Sequence, residues 1–242
     1  MGTMLLLSLG LFFPWVATGF LRDAPSIYSE SYTILIKGAL AGTETVAEKT
    51  NANGEIVSSS EHEMLITDGV ETKRMAFSTK MVLSKSTGIP SSYTCTYTSG
   101  NTGDSYDVTI KNAQITRVLN KGGRSSEVTI PLQPNMVFLD FNVYHQYDYL
   151  IRRYDAKKGG RQTFPDFLPL IGDDVPIAVT YIGDDKLDIR TGTLPIRNFR
   201  MEFVGIWGGT LSVDKNGRLV RLVVPSQELE VVRQDLLSEP KQ

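Results

Sequence analysis

The sequence predicts a mainly β protein: one large curved antiparallel sheet, or a half-open β-barrel, with a single α-helix packed against it. Three observations carry this expectation. Apolar and polar residues alternate with period two along most of the chain. Asn53-Gly54, Asp68-Gly69 and Asn216-Gly217 punctuate the alternating runs where hairpins would turn. One stretch, residues 136–154, switches to helical spacing.

Residues 20–30 are polar around Pro25 and read as a flexible lead-in. Tyr32, Ile34 and Ile36 share one face of a first strand that ends at Gly38, and Gly42 marks a bulge or bend in the next. Glu61–Thr67 and Val70–Lys80 flank the Asp68-Gly69 turn. Tyr93, Cys95 and Tyr97 alternate with threonines, Tyr106, Val108 and Ile110 repeat the pattern, and Val128, Ile130 and Leu132 close the set. Strands that are half apolar and half polar belong to antiparallel sheets with one wet face.

Pro134 then stops the strand pattern and Asn135 is placed to cap a helix. Met136, Leu139, Val143, Tyr147, Leu150 and Tyr154 fall on one stripe, widened by Phe138, Phe141 and Tyr144. Asp148 and Arg152, four apart, are expected to pair on the exposed side. Gly159-Gly160 ends the helix. Residues 164–171 set Phe164, Phe167, Leu168, Leu170 and Ile171 among Pro165 and Pro169. Proline removes amide donors, so this stretch reads as an apolar loop, a lid or a permanent cap, and not as a central strand. Alternation returns at Ile177, Val179 and Tyr181, ending at Gly183, and again at Phe199, Met201 and Phe203. A hairpin follows over Thr210–Val224, and a last element near Leu229–Arg233.

The N-terminus is expected to be a signal peptide, residues 1–19. Leu5 to Phe13 is almost wholly apolar, Pro14 breaks the helix, and Ala17-Thr18-Gly19 supplies small residues before a cleavage at Phe20. An uncleaved membrane anchor and a buried N-terminal helix are the two rival readings. The remainder fits one β-rich domain over 31–235 with a polar tail, 236–242.

Of the 242 residues, 41% are hydrophobic and 21% charged, enough apolar material for a core, which excludes global disorder. The net charge of -2 and the lack of a Lys/Arg cluster argue against nucleic-acid binding. Cys95 is the one cysteine, so it forms no intramolecular disulfide and no cysteine metal site; it reads as a small core residue.

No catalytic residue, metal or cofactor is expected. The two histidines, His62 and His145, cannot build a three-histidine site. His145, with Asp148 one helical turn on, has the spacing of an oriented base, yet no nucleophile elbow accompanies it. Asp173-Asp174 and Asp184-Asp185 lack calcium-loop spacing and read as turn residues. The aromatic residues carry more. Tyr144, Tyr147 and Tyr154 on the helix, with Phe164, Phe167 and Leu168 after it, suit the wall of an apolar binding site as well as a core.

Two functions follow. The first is an exported, non-enzymatic binding or carrier protein of the cell envelope, holding a lipid or other apolar ligand. The alternative is a structural or assembly protein of the envelope, with a protein partner paired to its strand edges. A cavity under the helix separates them.

Three passages bear on kinship: Tyr32-x-Ile34-x-Ile36-x-Gly38 followed by Gly42; Arg153-Tyr154-Asp155-Ala156-Lys157-Lys158-Gly159-Gly160; and Thr210 to Leu222 followed by Glu230-Val231-Val232-Arg233. Together they resemble uncharacterised exported bacterial families of long, curved antiparallel sheets. More distantly they resemble the half-barrel carriers that move lipoproteins across the periplasm. The resemblance implies the curved fold and an envelope setting. It brings no catalytic residues, and the lipid-accepting cysteine of lipoprotein-type members is missing.

Overall fold

The computed structural model describes residues 27–68, 71–100, 102–189 and 192–237. The expected signal peptide, Gly69 of the expected Asp68-Gly69 turn, and residues 238–242 of the tail lie outside the described residues. The fifteen strands of the described residues form one sheet.

Eight strands meander first: β1 (Ile27–Ile36), β2 (Ala39–Thr50), β3 (Ile56–Asp68), β4 (Glu71–Leu83), β5 (Pro90–Ser99), β6 (Thr102–Lys111), β7 (Gln114–Lys121) and β8 (Arg124–Pro131). The chain then turns inward through the two-residue β9 (Val137–Phe138) and a 3-10 turn, Tyr144–Gln146, that runs into helix α1 (Tyr147–Arg153). The outer wall resumes with β10 (Arg161–Leu168), β11 (Asp173–Ile189), β12 (Gly192–Phe203), β13 (Trp207–Val213), β14 (Leu219–Val224) and β15 (Leu229–Arg233). β15 pairs antiparallel with β1, joining the two meanders, so β8 ends the sheet on one side and β9 on the other. Each pairing is antiparallel except β9 with β10. The sheet curves without closing, as the alternation predicts.

The alternation does its work on the inner face. Tyr32 and Ile34 of β1, Val46 of β2, Met64 of β3, Met201 of β12 and Leu211 of β13 are buried in one large apolar cluster. Phe77, Met81, Tyr93, Cys95, Tyr106 and Ile115 form a second, under β4 to β7. Residues 136–151 fill the space between: Leu139, Tyr147 and Leu150 join the first cluster, Met136, Phe138 and Tyr149 the second. This inner segment is a plug around which the sheet is wrapped. Cys95 lies in the second cluster, and burial pushes its thiol up to about 12, which leaves it inert.

Several sequence expectations change. Strand β1 starts at Ile27, so residues 27–30 belong to the sheet and not to a flexible lead-in. The 136–154 helix shrinks to one 3-10 turn and the seven residues of α1. Asn135 and Asn142 adopt positive φ (60° and 63°), which no helix accommodates, and the intervening residues form β9 and turns. Asp148 does approach Arg152, at 3.8 Å, but Asp148 is buried and not on a wet face.

Of the expected apolar loop, residues 164–168 belong to a strand and 169–171 to the turn that follows it. β10 runs through Pro165, directly opposite Pro176 of β11. Two prolines cannot exchange ladder bonds, so they occupy a non-hydrogen-bonded pair where neither missing amide is needed by the other strand. Strand β11 likewise continues past Gly183, whose φ of 153° accommodates a bulge at Ile182.

Two turns share one construction that Asn-Gly alone does not convey. At 51–55 the Asn51 side chain accepts the amides of Asn53 and Glu55, and at 214–218 the Asp214 side chain accepts those of Asn216 and Arg218. Only the glycine, Gly54 or Gly217, is left-handed, so these are type I turns closed by a glycine bulge, and not two-residue turns with both positions at positive φ.

Candidate functional site

The polar residues of the interior form a collar between plug and sheet. Glu44 of β2 is fully buried. Its Oε2 accepts the amides of Tyr144 (3.0 Å) and His145 (3.2 Å), and its Oε1 meets His145 Nδ1 at 2.7 Å. The other ring nitrogen of His145 lies 3.1 Å from Ser58 Oγ of β3. Ser58, His145 and Glu44 therefore stand in the order of a nucleophile, a base and its orienting carboxylate.

The same geometry makes them unfit to act as one. His145 rides on the plug, while Ser58 and Glu44 belong to the wall. The three meet only when the plug is docked, and docking leaves Ser58 only 1% exposed. Undocking would expose Ser58 and remove its base. The trio is a clamp: Glu44 satisfies the free amides at the start of the 3-10 turn and holds the imidazole.

Further clamps run round the collar. Asp140 accepts the hydroxyls of Tyr93 (2.7 Å) and Tyr106, from β5 and β6. Asp166 of β10 accepts the Leu139 amide at 2.9 Å. Asp148 of α1 takes the Leu219 amide (2.7 Å) and pairs with Arg218 (3.1 Å), whose other nitrogen holds Glu48. Tyr149 donates to Glu48 as well. His62 packs on Phe77 and Tyr144 and reaches the Asn142 carbonyl, while Glu61 and Glu63 face outward, as the strand alternation predicts. Near the open side, buried Arg117 of β7 donates to the carbonyls of Pro169 (2.9 Å) and Leu170 (2.8 Å), tying the β10–β11 turn across the concavity.

Burial dominates the charges here. It pushes Asp140 and Asp148 up to about 6, above the usual 3.8, although the tyrosine hydroxyls and Arg218 respectively pull the other way. A carboxyl raised in the folded state favours folding most below its ordinary value and loses that contribution as the pH climbs through the folded value. The Asp140 contribution is thus lost between pH 3.8 and about 6. Asp140→Asn stays neutral throughout. Measured by urea unfolding, its stability relative to the parent is expected to improve from pH 4 to about pH 6 and then to level off. A difference that is flat with pH would contradict the assignment.

The residues expected to line a binding site are placed as follows. Tyr144, Tyr147, Phe164 and Leu168 sit together in the first apolar cluster, with Tyr154 half-buried against it and edge-on to Phe199. Phe167 lies in the second, against Phe138. The gap where the plug meets β4 and β5, beside Met81, Met136 and Tyr149, holds about 10 Å³, the lower limit for a single water. A larger, open groove of about 560 Å³ lies at the β12–β13 hairpin, lined by Phe203, Ile206, Trp207 and Pro225.

The fold and collar define a class: a long antiparallel sheet, curved but not closed into a barrel, rolled round its own inner segment. The chain shares this fold with a β-barrel-like protein of a domain of unknown function, DUF1849, from Brucella abortus. That likeness has a TM-score of 0.57 at 9% identity and covers 86% of this chain and 94% of that one. A DUF1089 family protein from Pseudomonas aeruginosa aligns over 90% of this chain and 98% of its own, with a TM-score of 0.47 and 12% identity. No family model matches the chain, and no curated protein matches it.

Proposed function

We propose that this chain is an exported, non-catalytic protein of the cell envelope that works through its surface, as an assembly or scaffold protein. The supporting observation is the packing of the interior among the described residues. The aromatic residues that suit a ligand wall are packed against one another, and the plug is held at Glu44, Asp140, Asp148 and Asp166. A carrier needs a hollow of roughly 300–1,000 Å³, against about 10 Å³ beside Tyr149.

The carrier reading keeps one support, the open groove beside Trp207, where an apolar ligand would bind at the β12–β13 hairpin and not under the helix. Native mass spectrometry of protein taken gently from its own host separates the two. The expected result is a ligand-free mass that starts at Phe20. A stoichiometric lipid adduct would overturn the scaffold reading, and an intact Met1 would overturn export.

A further inference from the structure

Strand β8 is unlike the rest of the sheet. Among the described residues it has one neighbour, β7, and seven of its eight residues are exposed, the exception being half-buried Ile130. The opposite end of the sheet is protected, since the short β9 is buried within the plug. β8 is therefore the bare edge, and a bare edge is a template for another strand.

The hydrogen-bond parity of that edge can be read directly. Leu132 donates to Ala113, next to the Gln114–Pro131 pair. Even-numbered residues of β8 thus bond to β7. The amides of Ser125, Glu127 and Thr129 point outward, as do the carbonyls of Ser125, Glu127, Thr129 and Pro131. Pro131 offers no outward donor.

We propose that this edge pairs with β8 of a second copy, antiparallel, with Val128 on the two-fold axis. The proposal builds on the reading that the chain works through its surface. In that register Glu127 and Thr129 exchange both backbone bonds with Thr129 and Glu127 of the second copy. Each Ser125 amide donates to the other copy's Pro131 carbonyl. All the free amides are used, and the donor that Pro131 lacks is one whose loss leaves only the Ser125 carbonyl to solvent.

Side chains favour the same register. Val128 meets its own copy and Ile130 faces Ser126, both on the inner face. Glu127 faces Thr129. The neighbouring register, centred on Glu127, would set two carboxylates opposite each other, which disfavours it. Apolar cover extends sideways, because Arg117, cross-strand from Val128, holds the carbonyl of half-exposed Leu170. An isologous contact of this kind closes at two copies and leaves no edge to propagate.

Sedimentation of the mature protein tests it. The parent is expected to run at twice the chain mass. Thr129→Pro deletes an amide that faces away from β7, so it should fold with the parent's strand content yet run as a monomer. Val128→Cys should cross-link to itself under mild oxidation, because non-hydrogen-bonded neighbours lie about 4.5 Å apart at Cα, within disulfide reach. Glu127→Cys, off the axis, should not. A monomeric parent at the highest soluble concentration, or a dimeric Thr129→Pro, would overturn the proposal. The mass-spectrometric test of the filled interior is independent of either outcome.

Discussion

Replacing Glu44 by alanine is expected to cost about 3–5 kcal/mol, the usual penalty for removing one partner from a buried polar pair. The carboxylate serves three donors at once: the Tyr144 amide, the His145 amide and the His145 ring. Without it, three polar groups are stranded in a region that water does not reach, and the 3-10 turn loses its attachment to β2. For a domain of this size the loss corresponds to a fall in melting temperature of roughly 6–20 °C. Ser58→Ala is the control. It removes one neutral hydrogen bond at the far side of the same ring, worth about 1 kcal/mol. Urea unfolding of both variants checks the ranking. If Glu44→Ala unfolds like Ser58→Ala, the collar does not hold the plug.

Gly42→Ala is expected to be the most damaging change of a single glycine among the described residues, at about 3 kcal/mol, through overpacking against main chain. Gly42 lies beside the β1–β2 bulge, where the register steps between Ile34 and Leu35. A Cβ there would stand 2.1 Å from the Glu63 carbonyl oxygen and 2.9 Å from Met64 Cα. Backbone cannot rotate aside as a side chain can, so β2 and β3 must part. Gly122→Ala makes the comparison: its φ of 56° is left-handed but the space around it is open, so about 1–2 kcal/mol is expected. Thermal melts of the two variants should therefore differ clearly. Equal melting points would contradict the close approach at Gly42.

The strands were legible because their signal is local. Alternation such as Tyr93-Thr94-Cys95 needs only a neighbour two residues away, and it placed the inner face correctly. The plug misled for the same reason. Met136, Leu139 and Val143 have helical spacing, yet their positions are set by distant partners: the Leu139 amide goes to Asp166, and Asp140 goes to Tyr93 and Tyr106. Pro165 misled in the opposite direction, since its tolerance in β10 depends on Pro176 lying across the ladder. The collar was illegible altogether. Glu44 and Ser58 lie 101 and 87 residues from His145, and a glutamate or serine on an alternating strand carries no mark of burial. Glu44 and Glu48 did share the phase of buried Val46, a polar pair on the apolar face, and that is the signal by which they were open to discovery.

The plug, residues 136–151, is a fixed part of the core. Hydrogen exchange across that segment tests it most directly. The amides of Leu139, Tyr144 and His145, each bonded to a buried carboxylate, are expected to exchange as slowly as those of the central strands β1 and β15, through global unfolding alone. Rapid exchange of these amides while β1 and β15 stay protected would mean that the plug leaves the sheet under native conditions, and would return the molecule to the carrier class.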